Sequence, residues 1–392
     1  MFINKLRVLV SLLVILGVMQ SYSQKRDSIQ FSLLTCSPGT EIYSLFGHTA
    51  IRYQNFTKSK DLVFNYGMFS FSSPNFIYRF VKGETDYQLG VNDIRSFKAE
   101  YMFRGSAVYQ QVLNLTYSEK IKLQELLFTN YLPQNRVYRY NYFYDNCTTR
   151  ARDQIEKCID GKVEYPTTVP DNTFRGIIHE FTKGFDWEEF GIDLCLGEDA
   201  DEPIGIRQQM FSPFYMRSFA EKAYIKSPNG NLRPLVLKEE VIVDADTVVD
   251  DGDSFPFSPV SCATFFLCLN IIIAFIQIVK KKIYWIWDLI LYLSQGLAGC
   301  IIAFLFFFSI HPTVDSNWLI MLFNPIPLFY LPFMLYNDIK RRKDRWHIVN
   351  SMYLTFFIVI IPIIPQEIDL SVLLLALGLL FNAVSHQIVY RK

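Results

Sequence analysis

Tyr140-Asn141-Tyr142-Phe143-Tyr144-Asp145-Asn146-Cys147-Thr148-Thr149-Arg150 is the stretch on which the reading of this chain turns. An aromatic run meets Asn146, a residue that caps helix N-termini well. A helix is therefore expected from about Asn146 through Ile159, with Cys147 in its first turn. There, N–H groups without helical partners and the positive end of the macrodipole favour a thiolate. The same N–H groups can hold an oxyanion. Well upstream, Phe46-Gly47-His48-Thr49-Ala50-Ile51-Arg52 opens an alternating, strand-like run. A histidine within reach of Cys147 would complete a nucleophile–base pair. Only His48 and His179 lie in the region before the apolar C-terminal third.

Each motif also has a purely structural reading. Gly-His before a strand is a common turn with a packed histidine. Cys147 shares its region with Cys36, Cys158 and Cys195, and an oxidising space would permit disulfides. Cys147–Cys158 with Cys36–Cys195 is one such pairing. No Cys or His pair there has zinc-ligand spacing, so no metal and no cofactor are expected. Asp145 and Arg150 flank Cys147 and are expected to shape the helix start.

Around these motifs the pattern is that of an α+β domain with an antiparallel sheet packed on helices. Strand-like runs are Phe31 to Leu34, Phe46 to Tyr53, Leu62 to Phe71, Tyr109 to Asn114 and Lys238 to Val249. A further helix is expected over Ser118 to Asn130, with Ser118 and Glu119 at its start. The chain has 392 residues, with 38 basic and 38 acidic side chains. That balance gives no reason to expect a nucleic-acid partner.

Apolar residues concentrate in the last third. Five runs, at about 260–279, 284–310, 318–336, 348–364 and 370–388, are near or above the length that crosses about 30 Å of hydrocarbon. Lys280 to Lys282, the cluster Lys340 to Arg345, and Arg391-Lys392 all fall on one side of these runs. The loops His311 to Asn317 and Pro365 to Asp369 contain no Lys or Arg. The positive-inside rule then puts the C-terminus in the cytoplasm and the domain before the first run outside. The N-terminus agrees: Lys5 and Arg7, an apolar core from Val8 to Met19, and Ser21-Tyr22-Ser23 read as a secretory signal. The expected organisation is a signal peptide at 1–23, an extracytoplasmic catalytic domain at 24–243, an acidic linker at 244–258 and a transmembrane domain at 259–392. Trp285, Trp287, Trp318 and Trp346 sit where interfacial anchors belong. Pro325, Pro327 and Pro332 break the third run, as a kinked helix or a substrate groove would. His386, inside the fifth run, is a possible functional polar group, although packing against a neighbouring helix is the simpler expectation.

His48 in Gly-His-Thr-Ala-Ile-Arg, followed about a hundred residues later by Asn146-Cys147-Thr-Thr, resembles the circularly permuted papain-like thiol enzymes. In that group, which includes permuted NlpC-type amidases and lecithin:retinol acyltransferase-like proteins, the His strand precedes the Cys helix. The longer stretches Asp61 to Phe71, Pro74-Asn75-Phe76 with Arg79-Phe80, and Arg139 to Asp153 resemble the Lnb-type lipoprotein N-acyltransferases. The resemblance implies Cys147 as nucleophile and His48 as base. Asn65 would be the orienting third group, or Tyr66 if the hairpin register differs by one residue. It also implies a phospholipid acyl donor, a lipoprotein acceptor, and a multi-pass bacterial inner-membrane protein with its N-terminal domain in the periplasm. Aromatic residues Phe69, Phe71, Phe76, Phe80 and Tyr140 to Tyr144 would suit an acyl-accommodating surface or an ordinary core. A cell-wall peptidase or amidase using the same pair, and a non-catalytic membrane-anchored binding or assembly protein, are the rival readings.

Overall fold

The structure is a computed structural model that describes residues 28–72, 74–168, 171–245 and 255–390. The expected signal peptide, most of the acidic linker and the terminal Arg391-Lys392 lie outside the described residues.

The main strands are β1 Ile29–Cys36, β2 His48–Asn55, β3 Lys60–Met68, β4 Asp86–Asp93, β5 Val108–Leu113, β6 Val137–Arg139 and β7 Val236–Val243. The main helices before the apolar third are α1 Phe76–Lys82, α2 Ile94–Phe103, α3 Tyr117–Tyr131, α4 Cys147–Cys158, α5 Phe174–Thr182, α6 Asp186–Cys195 and α7 Pro213–Lys222. Five more follow: α8 Pro259–Lys280, α9 Trp285–Phe308, α10 Ile326–Ile339, α11 Trp346–Ile360 and α12 Leu370–Val389. The chain divides into two compact units. One takes in Met1–Ser70, Asp86–Pro170 and Ile206–Val248; the other takes in Phe71–Thr85, Asp171–Gly205 and Val249–Lys392.

The first unit is α+β. Its seven strands pair in the order β7-β5-β1-β2-β3-β4-β6, every pairing antiparallel. Side chains alternate across a strand, and β1 shows the consequence. Phe31 and Leu33 enter a core with Ile51, Tyr53, Phe64 and Tyr66, closed by Leu123 and Leu127 of α3 and Ala151 and Ile155 of α4. Leu34 and Cys36 face the other way, toward Ala50, Val63 and Ile94, Phe97 and Tyr101 of α2. Buried on both faces, β1 keeps even the polar Ser32 and Thr35 out of water.

Two local details differ from the sequence expectation. Helix α3 is capped at Thr116 rather than Ser118. Thr116 Oγ1 accepts from the Glu119 N–H, and Glu119 Oε2 accepts from the Thr116 N–H at 2.7 Å, a reciprocal capping box. The strand expected over Leu62 to Phe71 stops at Met68, because Phe71 begins the segment that belongs to the second unit.

Among its described residues the second unit has five helices long and apolar enough to cross a membrane. The third is broken rather than bent. A 3-10 turn, Trp318–Met321, is followed by α10 after Asn324 and Pro325. Proline lacks the N–H that a continuous helix needs, and the Asn324 side chain accepts the Ile326 N–H at 3.1 Å instead. Helices α5 and α6 belong to this unit. They are tied by Arg175, fully buried, which donates to Asp193 at 2.5 Å and to Asp201 at 2.7 Å. His179 joins the same group, 3.0 Å from Asp193. The second histidine before the apolar third is thus engaged in a structural ion-pair network.

Candidate active site

The site lies within the first unit, where the N-terminus of α4 meets the ends of β2 and β3. Asn146 sits in extended conformation before α4, and its Oδ1 accepts from the N–H groups of Thr148 and Thr149 at 2.8 and 2.9 Å. Its Nδ2 donates to the carbonyls of Tyr142 and Phe211 at 2.7 and 3.0 Å. Every polar atom of this buried side chain is therefore used to fix the helix start. The expectation that several first-turn N–H groups would be open to an oxyanion is corrected here. Two of them are taken by Asn146, which leaves the Cys147 N–H as the available backbone donor.

His48 is the first residue of β2, and Gly47 before it has φ +75°, a conformation natural to glycine. A Cβ at Gly47 would meet the Cys36 carbonyl oxygen at 2.5 Å. The turn that aims His48 is thus open only to glycine. His48 Nε2 is 2.5 Å from Asn65 Oδ1 on β3. Tyr66, the alternative, is fully buried on the opposite face and donates its hydroxyl to Asn130 at 2.6 Å. The register explains the choice. Ile51 pairs with Phe64. Continuing that ladder sets Asn65 opposite Ala50, on the face of His48 and diagonal to it.

Cys147 lies beside His48, close enough that each shifts the titration of the other. With Nε2 committed to Asn65, Nδ1 is the nitrogen left for the thiol. Gly67 makes the meeting possible. It has φ +87°, and a Cβ there would stand 3.4 Å from the Cys147 Cβ and 3.8 Å from His48 Cε1. The Thr49 N–H also bonds the sulfur. Thr49 and Thr148 share a hydroxyl hydrogen bond of 3.1 Å that ties β2 to α4.

The electrostatics favour a thiolate–imidazolium pair. Burial pushes the Cys147 thiol up, but the charge of His48 and hydrogen bonds from His48, Thr49 and Thr148 outweigh it, bringing the thiol down to about 7. Burial pulls His48 down, but the Cys147 charge together with hydrogen bonds from Cys147 and Asn65 outweighs it and raises the imidazole from its ordinary value. The other thiols before the apolar third move the opposite way. Burial drives Cys36 well up, Cys158 to about 12 and Cys195 to about 11.

All seven cysteines are free. The proposed Cys147–Cys158 bridge is excluded by geometry. The two residues are the first and last of one twelve-residue helix, about 16 Å apart along its axis at about 1.5 Å per residue. Disulfides need Cα atoms within about 7 Å.

Asp145 and Arg150 pair through two contacts of 2.5 and 2.7 Å, and the Arg150 guanidinium lies 3.6 Å from the centre of the Tyr138 ring. Around the thiol stand Tyr87, Tyr138, Tyr140 and Tyr142. Burial raises each phenol, and the Cys147 charge raises each further. Tyr87 stacks between Phe69 at 4.9 Å and Tyr140 at 4.1 Å. The aromatic residues singled out in the sequence therefore separate into two groups. Phe69 and Tyr140 to Tyr144 belong to the unit that holds Cys147, while in the second unit Phe76 meets Phe71 edge-on and stacks on Phe80. Sequence reasoning passed over Gly67, Thr49 and Tyr87. Of these only Gly67 carried a signal, a glycine inside a strand pattern.

Comparison with known proteins completes the picture. Residues 21–179 match the model of the Lnb N-terminal periplasmic domain, and residues 250–392 match that of the Lnb transmembrane domain. No curated protein and no solved structure matches. The first match holds His48, Asn65 and Cys147, and the second holds all five spanning helices, so both halves of one architecture are present in order. The chain belongs to the Lnb family of membrane-anchored lipoprotein-processing enzymes, with a periplasmic N-terminal domain and a multi-pass domain in the inner membrane.

Proposed function

We propose that this chain N-acylates the N-terminal diacylglyceryl cysteine of lipoproteins through a Cys147 thioester, with a phospholipid as acyl donor. The observation that carries the reading is the Asn65–His48–Cys147 arrangement, with the thiol lowered to about 7. In the first step the Cys147 thiolate attacks the carbonyl of a phospholipid acyl ester. The negative charge that develops on oxygen is met by the Cys147 N–H at the positive end of α4. The tetrahedral adduct collapses, the glycerol oxygen leaves with the proton of the His48 imidazolium, and a lysophospholipid departs. In the second step the α-amino group of the lipoprotein cysteine attacks the thioester. His48 takes the amine proton, the thiolate leaves, and an amide remains.

Asn65 holds the imidazole so that one nitrogen always faces the sulfur. The tyrosines around Cys147 exclude water, which favours transfer to an amine over hydrolysis. The spanning helices suit this chemistry, because a lipid donor and a lipid-anchored acceptor both arrive in the membrane plane. Loop charges favour a cytoplasmic C-terminus; a C-terminal reporter active only in the periplasm would overturn that orientation.

The test is complementation of a bacterial strain lacking lipoprotein N-acylation. The wild-type chain should restore an acylated amino terminus, detected by mass spectrometry of a model lipoprotein. Cys147→Ala and His48→Ala should not. Acylation by both variants would overturn the mechanism.

A further inference from the structure

A second cluster of chemistry-bearing side chains lies inside the spanning bundle, drawn from four helices. Asp288 comes from α9, Asp338 from the end of α10, His347 from the start of α11 and His386 from the last turn of α12. All four are buried, none more than 4 % exposed. One ligand atom from each of Asp338, His347 and His386 lies within 4.8 Å of the others.

The hydrogen bonding around the cluster is one-sided. Asp288 Oδ1 is 3.0 Å from His386 Nε2 and accepts from Asn382 Nδ2 at 2.7 Å. This fixes the ring and turns His386 Nδ1 to Asp338 Oδ1, 3.5 Å away and long for a hydrogen bond. The ring of His347 stacks on that of His386 with centroids 3.6 Å apart. Neither nitrogen of His347 has a hydrogen-bond partner. A histidine buried in a helical bundle with both nitrogens unanswered calls for a ligand. Two carboxyl groups, Asp288 and Asp338, are buried in the bundle beside these imidazoles. Among the described residues, no lysine or arginine pairs with Asp288 or Asp338.

We propose that Asp338, His347 and His386 bind a divalent transition-metal ion of the zinc class. Two imidazoles and a carboxylate are a donor set suited to such an ion. Asp288, behind His386, is the carboxylate that commonly orients a metal-bound histidine. Ligand atoms sit about 2.0–2.2 Å from zinc, so the three groups must close by about an ångström and the stacked rings of His347 and His386 must rotate until their in-plane lone pairs converge on the ion. A cleft of about 280 Å³, lined by Lys282, Trp285, Arg341 and Tyr390 among others, reaches Asp338 and gives a path toward the cluster. The ion would pin α10, α11 and α12 together, with α9 held through Asp288. Its place among the spanning helices assigns it to their assembly rather than to the thiol chemistry.

The experiment uses the full chain in detergent, stripped with a chelator and titrated with Zn²⁺ or Co²⁺ alone. Expected are one ion per chain by elemental analysis, a higher thermal midpoint with Zn²⁺, and a Co²⁺ spectrum without a thiolate charge-transfer band. His347→Ala and Asp338→Asn should lose the ion, and Cys147→Ser should keep it. Three results would overturn the proposal: no saturable Zn²⁺ binding at micromolar concentration, unchanged stoichiometry in both cluster variants, or a thiolate band with Co²⁺. The wild-type stoichiometry and spectrum decide even where a variant fails to fold.

Discussion

His48 and Asn65 stand diagonally across adjacent antiparallel strands, with Nε2 of the first 2.5 Å from Oδ1 of the second. An amide oxygen only accepts, so it selects the tautomer with hydrogen on Nε2 and leaves Nδ1 for Cys147. Asn65→Ala removes that selection without touching the nucleophile. Acyl transfer should fall roughly 10- to 100-fold, as for a catalytic group displaced by about an ångström, while the fold is kept. Asn65→Asp also accepts and should retain more activity than Asn65→Ala. Single-turnover thioester formation measures both, and equal rates for wild type and Asn65→Ala would remove Asn65 from the site.

The lowered thiol sets a pH dependence. Thiolate is the reactive form, so with Cys147 at about 7, alkylation should be half-maximal near that pH. It should fall tenfold per unit below it. In His48→Ala the positive neighbour and its hydrogen bond are lost while burial remains, so the inflection must move up. Cys158 and Cys195, pushed up to about 12 and about 11, should stay slow throughout. Iodoacetamide labelling of full-length protein, quantified peptide by peptide, reads all three. An unshifted profile in His48→Ala would break the pairing.

What the sequence revealed, and what it hid, follows from the range of the interactions. Asn146 before Cys147 announced the helix start because capping is local, involving the next three residues. The alternation from His48 to Tyr53 announced β2 for the same reason. The choice between Asn65 and Tyr66 stayed open because cross-strand register is non-local: one residue of slip exchanges the two faces. The capping box at Thr116 was within local reach and was missed, since Thr116 lies just outside the periodic run. The second unit was hidden for a different reason. The segments Phe71–Thr85 and Asp171–Gly205 interrupt the first unit's chain, and nothing in a polar–apolar pattern says which body a short helix joins. The buried Asp288–His386 contact spans 98 positions, so no spacing rule could connect them.

Gly67 tests how tightly the thiol and imidazole are fitted. Its φ of +87° strains any other residue, costing about 1–2 kcal/mol. A methyl group would rest between Cys147 and His48, 3.4 and 3.8 Å away. Gly67→Ala should therefore lower stability by that modest amount, yet reduce thioester formation more than the stability loss accounts for. Thermal unfolding and single-turnover kinetics on one preparation separate the effects. A variant with lower stability and wild-type kinetics would show that the glycine serves only the backbone.

Asn146 offers the sharpest separation of scaffold from chemistry. Asn146→Ala removes the acceptor for the Thr148 and Thr149 N–H groups and the donor to Tyr142 and Phe211. Loss of a cap costs about 1 kcal/mol, and burial of the orphaned groups adds to it. Asn146→Asp keeps the acceptor, so helix α4 should still be capped, but it sets a negative charge one residue from Cys147. Like charge disfavours the thiolate. The Cys147 inflection should then rise above about 7 and acylation at neutral pH should drop, with partial recovery as pH increases. Asn146→Ala should instead lose stability with little change in that inflection. Alkylation profiles alongside unfolding midpoints for the two variants give the answer. If Asn146→Asp leaves the inflection where it is, charge at the capping position does not govern the nucleophile, and the thiolate rests on His48, Thr49 and Thr148.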